Sequence, residues 1–109
     1  MTIGTLKFEG RIDTARAGEI ELALAAKAGA LDQRGDRAII DLKEVIYLSS
    51  MGIRLLVTTI KQFTQRGVSF VTIPPDDGLV NETLKIASLT DHLNMVEDRE
   101  AALAVVHQG

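Results

Sequence analysis

One feature narrows the fold more than any other: segments with strand periodicity and segments with helix periodicity take turns along the chain. Leu6–Ile12 alternates apolar and polar residues, the period of a half-buried strand. Asp13 and Thr14 then offer side-chain oxygens of the kind that cap a helix start, and an Ala-rich helix is predicted over 15–30. On it Ile20, Ala23, Leu24 and Leu31 share a face. Gly35-Asp36 breaks the pattern, and Ala38–Leu42 is a short apolar run expected to be a buried strand. Val45–Leu48 leads into Ser49-Ser50-Met51-Gly52, after which Ile53, Leu56, Ile60 and Phe63 recur at helical spacing up to Gly67. Val68–Ile73 is β-branched and alternating, and Pro74-Pro75 stops it. Asp76-Asp77-Gly78 opens a helix with Val80, Leu84 and Ala87 on one face. Asn94–Glu97 reads as a weak strand, and Asp98 caps a last helix carrying Leu103 and Val106. The order β-α-β-α-β-α-β-α predicts an α/β fold, a single layer of largely parallel or mixed sheet with about four helices packed on it.

Length fits one domain, 1–109, able to bury roughly two thirds of the surface its unfolded chain exposes. No apolar run approaches the roughly 18 residues a membrane span needs, so no membrane insertion is expected. Met1-Thr2-Ile3-Gly4 has no basic region followed by an apolar stretch, and with no secretory signal and no cysteine a cytoplasmic location is expected. The net charge is −3, the basic residues are scattered, and the aromatics are only Phe8, Tyr47, Phe63 and Phe70. Neither a phosphate-neutralising face nor a base-stacking platform is present, so nucleic acid is not an expected partner.

Catalytic groups are scarce. His107 lies near the C-terminus, and His92 follows Thr90-Asp91 where an imidazole complements the last carbonyls of a helix. The acidic pairs Glu19/Glu21, Asp76/Asp77 and Glu97/Asp98 diverge on a helix surface or precede a helix, where acids favour the positive end of the dipole. Metal-ligand spacings and Gly-rich phosphate loops are missing. The inventory predicts no catalytic residue, no metal and no cofactor, hence no enzyme.

Ser49-Ser50-Met51-Gly52-Ile53, at a strand-to-helix junction, stands apart. Serine is among the best N-caps, and backbone N–H groups at a helix start favour an anion. Two adjacent hydroxyls leave one to cap and one to face solvent. The residues alone leave open whether the second is idle or accepts a phosphate, which would add about −1.5 to −2 of charge.

At this segment the chain resembles the STAS domain family of bacterial anti-sigma factor antagonists. The resemblance is carried by Gly10-Arg11-Ile12-Asp13, by Ala38–Val45, and most specifically by Ile46–Leu56. A weaker part runs through Leu84–Thr90 and Glu100–Leu103. It implies a non-enzymatic regulator that works by partner switching. In the family, the unphosphorylated antagonist binds a serine kinase that is also the anti-sigma factor. Phosphorylation of a serine at the start of the helix after the central strand ends that binding, and a phosphatase restores it. With Gly52 aligned to the family's glycine, Ser50 takes the phosphorylated position and Ser49, the runner-up acceptor, takes the place of a common acid. Asp13, Ser49, Met51, Gly52, Ile53 and Arg54 are the residues expected at the partner surface.

The chain departs from the family pattern at Ser49, at Met51, which is bulkier than usual, and ahead of Gly10. There only about nine residues stand where many members have an extra strand, so the sheet is expected to start one strand short or to have a stub there, an arrangement that can leave an edge open. The alternative is a scaffold or accessory subunit of a sensory or transport complex, never phosphorylated, in which Ser50 is only part of a cap.

Overall fold

The computed structural model describes residues 3–31 and 34–106, and His107 lies outside them. In chain order the elements are β1 (Ile3–Ile12), α1 (Thr14–Gly29), β2 (Arg37–Leu48), α2 (Ser50–Arg66), β3 (Ser69–Ile73), α3 (Gly78–Ile86), one 3-10 turn (Thr90–His92) and α4 (Arg99–Val106). The three strands lie in the order β1-β2-β3, and both pairings are parallel.

Side-chain alternation sets the two layers around this sheet. Leu6, Phe8, Ala38, Ile40 and Leu42 face one side and pack with Leu24 of α1, Leu55, Leu56 and Phe63 of α2, and Val80 and Leu84 of α3. Ile39, Val71 and Ile73 face the other side, where Ala102 and Val106 of α4 cover them. The first half of β2 is therefore apolar on both faces, as a central parallel strand must be. Asp41 is the buried exception. Its carboxylate accepts from the Lys43 N–H at 3.0 Å and stands 4.0 Å from the Arg99 guanidinium.

β3 pairs only with Arg37–Asp41, and beyond that β2 continues beside β1 alone. Two register shifts occur there: Lys7 pairs with Asp41 but Glu9 with Glu44, and Gly10 with Val45 but Arg11 with Tyr47. Each shift inserts one extra residue into β2, which bends the two-stranded end. Gly10, at φ +73°, absorbs the second shift in a conformation that disfavours a side chain.

Three expectations change. The strand over 94–97 is a single bridge, Thr72 to Met95, because Asn94 turns to φ +53° and breaks the extended run. Ala23 and Leu103 are exposed, and Ala17 and Ala102 hold the buried positions of their helices. Leu31 is buried from just beyond α1, not from within it.

Candidate functional site

The site forms where the C-terminal ends of β1 and β2 meet the N-terminus of α2. The Ser49 N–H donates to the Ile12 carbonyl at 2.9 Å, which ties the two strand ends together at the last extended residue before the helix. Ser49 is the N-cap: its backbone is extended, and its Oγ accepts from the Gly52 N–H at 3.2 Å. The Ser49 carbonyl accepts the first intrahelical bond, from the Ile53 N–H at 2.9 Å.

Ser50 is thereby the first helical residue. It is exposed, and its hydroxyl has no hydrogen-bond partner among the described residues. No acidic side chain occupies the first turn, so nothing negative already complements the helix dipole there. Gly52 is buried beneath this turn. A Cβ on it would stand 2.7 Å from Leu48 Cδ1, 3.0 Å from Ile12 Cγ2 and 3.2 Å from the Ile12 carbonyl oxygen. Only glycine lets the helix start settle this closely on the two strand ends.

The other expected site residues divide by direction. Met51 and Arg54 are exposed, and Ile53 is half-buried against the core. Met51 and Arg54 line a groove of about 390 Å³ between α1 and α2, whose far wall carries Ala17 and Glu21. Arg54 follows Ser50 by one helical turn, so the two are neighbours on the helix surface. Asp13 sits at the end of β1 and is occupied as the cap of α1: its Oδ1 accepts from the Arg16 N–H at 2.9 Å, and its carbonyl from the Ala17 N–H at 2.8 Å. Beside these strand ends the Arg11 guanidinium lies 4.6 Å from the centroid of Tyr47, a cation–π contact on an exposed surface. Neither the stack nor the groove wall on α1 is legible in the sequence, since each depends on which elements become neighbours. The alternation breaks twice along this strand end, at Lys43-Glu44 and at Ile46-Tyr47, where two consecutive residues are exposed.

His92 is exposed on the 3-10 turn after α3. No group of three or more His, Asp or Glu side chains among the described residues could hold a metal ion. No helix among them is long and apolar enough to cross a membrane.

The model of the STAS domain family matches residues 2–102. The chain belongs to the STAS domain family. Among curated proteins no sequence matches it. The solved structures that share the fold include the following two. The STAS domain of a SulP transporter from Vibrio cholerae aligns with a TM-score of 0.71 at 23% identity, over 94% of this chain and 79% of that one. The anti-sigma factor antagonist SpoIIAA, in its unphosphorylated form, aligns with a TM-score of 0.74 at 13% identity, over 96% of this chain and 90% of that one. At these identities the likeness is one of fold. This STAS domain is similar in fold both to an anti-sigma factor antagonist and to a domain of a SulP transporter.

Proposed function

We propose that this STAS domain is an anti-sigma factor antagonist that switches partners through phosphorylation of Ser50. The observation that carries the reading is the division of labour between the two serines. Ser49 Oγ is spent on the Gly52 N–H, while the Ser50 hydroxyl is exposed and unpartnered at the first position of α2. A phosphate there meets the positive end of the helix dipole, so the fold tolerates it. The same dianion alters a protein partner's surface contact through charge and desolvation. A hundredfold change in affinity needs only about 2.7 kcal/mol of such coupling. Met51 and Arg54, with the groove they open, supply the adjoining surface. The partners on this reading are a serine kinase that is also the anti-sigma factor, and a phosphatase, all in the cytoplasm. The domain itself contributes no catalysis.

The test is intact mass with peptide mapping of the protein from its native cells under two growth conditions. A species roughly 80 Da heavier, localised to Ser50 and varying with condition, is the expected result. Ser50→Asp then weakens binding to the cognate kinase, and Ser50→Ala binds it and resists release. Equal, wild-type binding by both variants refutes the switch.

The fold shared with the transporter domain favours a second reading, an accessory domain held permanently by a larger complex. It predicts unmodified Ser50 in every condition and a partner that co-purifies without exchange.

A further inference from the structure

We propose that β1 is a homodimerisation edge, pairing antiparallel with β1 of a second copy to make one sheet continuous through both. β1 is ten residues long, contains no proline, and is an outer strand of the sheet. A strand paired on one side only presents a row of free N–H and C=O groups on the other. In a right-handed β1–α1–β2 crossover of L-residues, strand residues whose side chains face the helix layer direct their main-chain groups toward the following strand, and Leu6 and Phe8 lie on that face, so their main-chain groups face β2. The outward groups are those of the alternate residues Thr5, Lys7 and Glu9. An apolar recess of about 240 Å³, lined by Leu6, Ala30 and Leu31 among others, opens between β1 and the end of α1. A strand added alongside covers it.

Charge identifies the occupant and the register. Lys7 and Glu9 lie on the exposed face of the strand. Residues opposite each other in a sheet share a face, so a two-fold antiparallel pairing can shift only in steps that preserve this alternation. Centring the axis on Lys7 opposes two lysines. Centring it on Glu9 opposes two glutamates and sets Lys7 against Arg11. Centring it on Phe8 sets Lys7 of each copy against Glu9 of the other, with the outward main-chain groups of both residues facing across the axis. Within one copy the Lys7 ammonium is paired with Glu44, which stands across from Glu9, and it also attracts Glu9 of its own strand. A lysine has three donors, so Lys7 of one copy can serve its own Glu44 and the other copy's Glu9 together. The strand is complementary to itself, which makes a second copy the fitting partner.

Sedimentation equilibrium of the full chain tests this. The wild type is expected to associate reversibly to a dimer. Glu9→Lys and Lys7→Glu should each weaken association by about tenfold or more, because like charges then face each other across the axis. An equimolar mixture of the two variants should recover association, the acidic edge of one meeting the basic edge of the other. Glu9→Lys leaves the Lys7–Glu44 pair intact, and circular dichroism verifies that each variant is folded. In the wild type, amide exchange at Thr5, Lys7 and Glu9 should slow as protein concentration rises. A wild type that stays monomeric from micromolar to millimolar concentration overturns the proposal. So do folded single variants that dimerise unchanged, a mixture that fails to associate, or exchange at those amides that ignores concentration.

Discussion

Three residues at the start of α2, Ser49, Ser50 and Gly52, differ in what they contact, and substitution separates them. Ser49 satisfies a free helix N–H, so Ser49→Ala should cost about 1 kcal/mol of folding stability, read from urea denaturation. Ser50 makes no such bond, and Ser50→Ala should stay within about 0.5 kcal/mol of wild type. The opposite ranking would make Ser50 the cap and Ser49 the free hydroxyl. Gly52→Ala should cost about 1–3 kcal/mol by overpacking, since the added methyl meets the Ile12 backbone as well as the Leu48 and Ile12 side chains. A serine cap at 49–50 was legible in the sequence, since capping chemistry is local, and the glycine position came from the family resemblance. The reason for the glycine was not legible, because the atoms it avoids come from two different strands.

At the scale of elements, α2 is the best specified. Ser49 opens it, and Gly67 closes it at φ +73° with its N–H directed to Thr64 and Phe63 carbonyls. Arg66 in the last turn complements the dipole. Gly67→Ala should lower stability by about 1 kcal/mol, because a side chain at positive φ is strained and the new Cβ crowds Arg34 Cγ at 3.1 Å. The β1–β2 pair was less legible. The apolar run predicted only Ala38–Leu42 as strand, yet β2 continues to Leu48, because pairing to β1 holds an irregular segment extended through two bulges. The Lys7–Glu44 pair bridges that stretch. A hydrogen bond and the lysine charge hold the Glu44 carboxyl below its ordinary pKa, and Glu44 holds the Lys7 ammonium above its own. The Glu44 contribution is therefore present above the ordinary carboxylate range and lost as pH falls through its lowered value. Both groups are exposed, so the effect is small and salt-sensitive. Wild type and Glu44→Gln should differ slightly in urea midpoint at neutral pH and converge in acid, with high salt narrowing the neutral-pH gap.

For the whole molecule, the larger core lies on the face of the sheet that carries α2. Phe63 is fully buried, and its ring lies 6.1 Å from that of Phe70, joining α2 to β3. Phe63→Ala should cost about 3–5 kcal/mol, measured by thermal or urea unfolding. That is a large share of the roughly 5–15 kcal/mol a domain of this kind has. The sequence by itself indicated the three strands and four α-helices, a cap at Asp98, capping side chains among Asp13/Thr14, Ser49/Ser50 and Asp76/Asp77, and the sidedness of α2, because periodicity and capping involve residues a few positions apart. It also pointed to the serine pair, through the resemblance its neighbours carry. Only the tertiary structure decided the rest. It set α4 against the opposite face of the sheet from α1–α3, reduced the segment after Asn94 to one bridge and opened the groove beside Met51. Each of these depends on which distant segments share a boundary, and burial rewards that choice through whole faces, with no single residue type to announce it.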